Sequence, residues 1–145
     1  MNPRSAKLIV VTICVFMFAG DLSHEGSALG QGKDVTISND DQTTTIDCTG
    51  SNVTVSGDDN NVTLKGECRN LTVSGDDNNI NAMTVTEVTV SGDDNNIRVE
   101  TVARISTSGD DNNITWKAGV GGKPPDISSG GDDNKVKQGN LIRAK

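Results

Sequence analysis

Apolar and polar residues alternate along this chain in short, recurring blocks. "VTVSG" at Val53–Gly57, "LTVSG" at Leu71–Gly75 and "VTVSG" at Val88–Gly92 place Val53 and Val55 on one side of an extended backbone and Thr54 and Ser56 on the other. A period of two over four or five residues is the signature of a half-buried β-strand. A second short strand follows each polar corner, as in "NVTLKG" at Asn61–Gly66 and "NIRVE" at Asn96–Glu100. No stretch has the spacing of an amphipathic helix. The blocks open at Val35, Val53, Leu71, Val88, Ile105 and Ile127, spaced 18, 18, 17, 17 and 22 residues apart. A fixed short period governs the fold before any local feature does.

A unit of this length cannot bury its own apolar face, but stacked copies with parallel strands share one core. The pattern therefore predicts an all-β parallel β-solenoid (β-helix) of about six rungs of 17–18 residues. Rungs spaced ~4.8 Å apart give a rod of about 25–30 Å. Eighteen residues suit a triangular coil, and a two-sided coil also fits. Regular rungs are expected over 35–117, a Gly/Pro loop over 118–126 ("AGVGGKPPD"), and a C-terminal capping rung over 127–145. Trp116 falls where the regular pattern ends and is placed to cover that end of the core.

Each corner reads "SGDDNN", at Ser56, Ser74, Ser91 and Ser108. Val55 to Val62, Val73 to Ile80, Val90 to Ile97 and Thr107 to Ile114 are each seven residues apart. An odd interval cannot keep both ends inward on an unbroken strand, so the corner needs a bulge or a residue with positive φ. Gly57, Asn60 and Asn61 are suitable types for it. Turn chemistry alone thus accounts for the motif. Stacking adds a role for the amides, because Asn60, Asn61, Asn78, Asn79, Asn95, Asn96, Asn112 and Asn113 fall one rung apart and can form structural ladders.

For the carboxylates stacking is unfavourable: like charges about 5 Å apart repel by roughly 0.8 kcal/mol even in water. Hydration, hydrogen bonds to corner amides or cations must relieve this. Calcium takes six to eight oxygen ligands outside the cell, so Asp58, Asp59, Asp76, Asp77, Asp93, Asp94, Asp110 and Asp111 are candidate calcium ligands. On the neighbouring strand Thr54, Ser56, Thr72, Ser74, Thr89 and Ser91 form an outward hydroxyl face, a candidate ice- or glycan-binding surface.

The amino terminus changes the inventory. Arg4 and Lys7 precede an apolar run from Leu8 to Gly20, and Ala28-Leu29-Gly30 supplies small residues for cleavage before Gln31, so residues 1–30 read as a signal peptide. The run is too short for a comfortable membrane span, and no span is expected in the mature chain, which is one domain over 31–145. Cleavage removes Cys14 and the only histidine, His24, and leaves 11 basic against 18 acidic residues. That balance argues against nucleic acid. With no histidine and no tyrosine, Ser/His and Cys/His catalysis is excluded in the mature chain, and carboxylates repeated in every rung suit a scaffold better than one active site. No cofactor is expected beyond calcium. Cys48 and Cys68, 20 residues apart, fall on adjacent rungs; a disulfide is the default expectation in an oxidising compartment, with two buried thiols as the alternative. Open ends of the stack invite end-to-end self-association.

The segment "IDCTGSNVTVSGDDNNVTLKGECRNLTVSGDDNNI", Ile46–Ile80, with its two cysteines and repeated "TVSG" units, resembles the secreted bacterial domain-of-unknown-function family numbered 3060. The resemblance spans roughly Val35 to Trp116 and implies a periplasmic or secreted solenoid-like domain of uncharacterised activity. Small or neutral residues often fill the corner in that family, so the Asp pairs carry no cation role over from it.

Overall fold

The computed structural model describes residues 32–139 together with the backbone of Ser27–Leu29. The apolar run Leu8–Gly20, the cleavage point and the end of the expected capping rung lie outside the described residues. Ten strands run in chain order: β1 (Ser27–Leu29), β2 (Val35–Ile37), β3 (Thr43–Asp47), β4 (Asn52–Val55), β5 (Asn61–Val73), β6 (Asn79–Val90), β7 (Asn96–Thr107), β8 (Asn113–Gly119), β9 (Asp126–Ser129) and β10 (Lys135–Gln138). The described residues hold no α-helix, only a 3₁₀ turn at Val120–Gly122. Every pairing is parallel and joins residues one coil apart, such as Val53 with Leu71 and Val88 with Ile105. The chain is an all-β solenoid of about six turns.

Inward and outward residues alternate along each coil, and the alternation breaks at three places, which gives the coil three faces. In the second coil Val62 and Leu64 point inward, then Cys68, then Leu71 and Val73. The first face stacks β3, β5, β6, β8 and β10 with the start of β7; the third stacks β2, β4, the end of β5 to β7, and β9. The two short strands expected per repeat are here one continuous, bent strand of 12 or 13 residues in β5, β6 and β7. The core is columnar: Val62, Ile80, Ile97 and Ile114 stack in one file and Val53, Leu71, Val88 and Ile105 in another, all at most 1% exposed.

The difference between 18- and 17-residue coils has a local cause. From β5 to β6 the register slips between Leu64 and Glu67, where Leu64 pairs with Ala82 and Glu67 with Thr84. The extra residue falls at Lys65-Gly66, and Gly66 absorbs it with φ of 83°, a region closed to most side chains. Trp116 sits inward at 7% exposure above the Leu64–Ala82–Val99 file, closing the carboxyl end of the regular core as its sequence position suggested. Cys48 and Cys68 form a disulfide between the first and second coils, with Cα atoms 5.0 Å apart.

Candidate functional site

The corner joins the third face to the first and uses each of its residues differently. The residue with positive φ is the second aspartate: Asp41, Asp59, Asp77, Asp94, Asp111 and Asp133 all lie between 53° and 57°. This corrects the expectation that Gly57, Asn60 or Asn61 fills that role. Asp tolerates the left-handed region better than most residues with a Cβ. The glycine is needed for close approach instead, since a Cβ at Gly75 would stand 2.1 Å from the carbonyl oxygen of Gly57 one coil away. Gly57 and Asn60 point inward while Asp58 and Asp59 point out. Two successive outward residues produce the seven-residue phase change.

The first aspartate is committed to the backbone. Asp58 N–H donates to Asp40 Oδ1 at 2.9 Å, and the N–H groups of Asp76, Asp93, Asp110 and Asp132 donate to the Oδ1 atoms of Asp58, Asp76, Asp93 and Asp110, each at 2.8 Å. The second aspartate donates its own N–H to the next coil, as from Asp59 to the Asp76 carbonyl at 3.1 Å. One oxygen of each first aspartate from Asp40 to Asp110 thus accepts a backbone hydrogen bond, while the second column stands exposed at the rim.

The two asparagine columns also diverge. Asn61, Asn79, Asn96 and Asn113 form the expected amide ladder, with Nδ2 of each donating to Oδ1 of the one before at 3.2–3.3 Å. Asn60, Asn78, Asn95 and Asn112 face inward and are at most 1% exposed. Their Oδ1 atoms accept backbone N–H bonds from the preceding coil at 2.8–3.0 Å, from Gln42, Asn60, Asn78 and Asn95 in turn. Nδ2 of Asn95 and Asn112 bonds the carbonyls of Gly75 and Gly92. The inward column is therefore a polar seam inside the core.

Among the described residues no group of three or more His, Cys, Asp or Glu side chains is arranged to hold a metal ion. The aspartates do act on one another electrostatically. Asp77, in the middle of the rim column, has its carboxyl pushed above the usual range, first by desolvation among its neighbours and then by the charges of Asp59, Asp94, Asp76 and Asp58. Asp47, on the first face, is held below the usual range by hydrogen bonds from the Thr49 hydroxyl and N–H, at 2.7 and 3.1 Å, with Lys65 adding to it.

The hydroxyl face turns its serines back on the coil: Ser56, Ser91 and Ser108 Oγ lie 3.4–3.5 Å from carbonyl oxygens one coil earlier, at Ile37, Val73 and Val90. Thr54, Thr72 and Thr89 are half-buried between their neighbours. On the first face lies a feature that sequence reasoning missed, a shallow groove of about 510 Å³ along the rod axis. Met83, 53% exposed, lies in it beside Arg98, with Lys65 at one end and the Lys117–Glu100 ion pair at the other. Outward residues two apart on successive strands carried that signal, but only in known register.

Neither a curated protein nor a solved structure matches the chain. A family model described as protein of unknown function (DUF3060) matches residues 55–98 and 81–133, which together span more than half the sequence. The chain, with its stacked "SGDDNN" corners, belongs to that family.

Proposed function

We propose that this protein is an exported, non-enzymatic solenoid rod with a structural or binding role at the bacterial cell envelope or outside the cell. One observation carries the reading: the residues repeated in every coil are spent on holding the coils together. Oδ1 of the first aspartate and of the inward asparagine each accept a backbone N–H from a neighbouring coil, and the glycine before them allows the coils to touch. With the first aspartate, the inward asparagine and the glycine consumed by the scaffold, the exposed carboxyls of the second aspartates are what the corner leaves uncommitted. The disulfide between the first coils suits an oxidising compartment, and no described helix is long and apolar enough to cross a membrane. End-to-end self-association belongs to the same reading.

Calcium binding at the Asp pairs is the competing reading. It draws support from the raised Asp77 carboxyl, which marks a column where negative charge accumulates. A thermal melt of the exported chain in chelator, then in millimolar calcium with magnesium as control, separates the two. Cooperative melting in chelator with no calcium-selective shift is expected. A calcium-selective rise of several degrees would replace the scaffold reading with an ion-responsive one.

A further inference from the structure

We infer that Ser27–Leu29 is a leader-borne plug on the amino-terminal edge of the coil, and that its removal lets this edge receive the carboxyl-terminal coil of a second copy. Processed chains then stack head to tail. The inference rests on the export reading, since export is what removes the plug: a signal peptidase hydrolyses the Gly30–Gln31 bond, water adding across it to leave a Gly30 carboxylate and a Gln31 amine.

The plug is visible in the pairing. β1 adds to β3 in parallel, with Ser27 opposite Thr45, Ala28 opposite Ile46 and Leu29 opposite Asp47. That edge is where a preceding coil would lie, and a three-residue strand from the expected signal peptide occupies it. The edge is therefore competent to take a parallel strand, and the strand it now holds is one the mature chain lacks.

The opposite end offers the replacement. Among the described residues β10 pairs only with β8, and β9 only with β7. Lys135 continues the file of Asn113, Asn96, Asn79 and Asn61, which begins at Thr43. Stacked in that file, β10 sets Lys135 on Thr43, Val136 on Thr44, Lys137 on Thr45 and Gln138 on Ile46 of the next copy. This overlaps the positions β1 covers, so plug and second copy exclude each other. Lys135 and Gly139 N–H donate inward to Asn112 and Trp116, so by alternation the N–H groups of Val136 and Gln138 face the open edge.

The corners match as well. Each internal joint makes a bond from Asp76 N–H to Asp58 Oδ1 and another from Asp59 N–H to the Asp76 carbonyl. Among the described residues, Asp132 Oδ1 has no donor, and the N–H groups of Asp133 and Asp40 have no acceptor. Stacking supplies both bonds, Asp40 N–H to Asp132 Oδ1 and Asp133 N–H to the Asp40 carbonyl. It also brings Ile127, 46% exposed at the open end, over Val35 of the next copy. A heterologous contact of this kind repeats without closing and gives a filament.

The test expresses the full chain in a bacterial host with an export pathway and reads the processed amino terminus by intact mass. Light scattering across a micromolar concentration series and electron microscopy then follow assembly. Weight-average mass should rise about twofold or more with concentration, as linear particles. Ile127→Lys charges the open core, and Val136→Pro removes an N–H that faces the open edge; both should stay monomeric, Ile127→Lys with unchanged melting and Val136→Pro with a small loss, since Val136 packs part-buried against the core. A synthetic peptide of residues 23–30 should drive the wild-type chain back toward monomer, and a scrambled peptide should not. Processed chain that stays monomeric overturns the inference alone, as do assemblies that persist in both edge variants or ignore the peptide. Exported chain that retains residues 1–30 overturns the export reading and the inference together.

Discussion

At the scale of single residues the corner combines two strains and two remedies. Asp77 holds φ at 57°, which costs an L-residue roughly 1–2 kcal/mol, and its carboxyl is crowded by four neighbouring charges. Replacing it with glycine removes the backbone strain and the charge together, so Asp77→Gly should melt at or above the wild type at low salt. Asp77→Val keeps the strain, adds a branched side chain, and should lose about 1–2 kcal/mol in chemical denaturation. The remedies sit at Asp76 and Asn78. Asn78 is fully buried and its Oδ1 accepts the Asn60 N–H at 3.0 Å; Asn78→Ala leaves that donor unsatisfied and should cost about 1–3 kcal/mol. Asp76→Asn, which keeps an acceptor and drops a charge, should be close to neutral. A loss at Asp76→Asn as large as that at Asn78→Ala would mean that the charge of the first aspartate contributes to the corner as much as the buried hydrogen bond does.

At the scale of elements the close stacking of corners is the constraint that every coil must meet. A Cβ at Gly75 would lie 2.1 Å from the Gly57 oxygen, and since that neighbour is backbone it has no rotamer to escape into. Gly75→Ala should therefore cost about 3 kcal/mol, at the upper end of overpacking changes, and denaturant melts would show it as a clear drop where Asp77→Gly shows none. The same contact explains what was legible in the sequence. Inward Val, Leu and Ile positions and the rung boundaries could be read because β-alternation reports burial directly, as Val53/Val55 and Leu71/Val73 did. The left-handed position could not, because Gly57 and Asn60 are both better intrinsic candidates than Asp59, and only the approach of the next coil reserves the glycine for another purpose. The inward turn of Asn60 was hidden for a related reason: a carboxamide reads as solvent-facing until the unpaired amides of the corner are counted. The groove beside Met83 and Arg98 needed the register of four coils, which the 18-to-17 residue change at Gly66 shifts by one.

At the scale of the whole molecule the aspartates form one charged edge along a rod that shares a single core, so their repulsion acts on the stack as a unit. The raised Asp77 carboxyl fixes the sign of the response. A group whose folded value lies above its unfolded value contributes stability that is present at low pH and lost as pH rises through the folded value. Asp47 has the opposite sign: its lowered value contributes stability above the ordinary carboxylate range, lost as pH falls through the folded value. The melting temperature at low salt should therefore climb as pH is lowered from neutral toward the top of the carboxylate range, then fall once Asp47 is protonated and gives up its bonds from Thr49. Sodium chloride at neutral pH should raise it as well, because the rim carboxylates are exposed and screened within about 10 Å at 0.1 M. Asp77→Asn should flatten the rising limb without touching the falling one, and Asp47→Asn should do the reverse. A melting temperature indifferent to both salt and mild acid would mean that the rim side chains splay far enough into water for six stacked carboxylates to ignore one another, leaving the hydrogen-bonded inner columns as the whole of the corner's contribution.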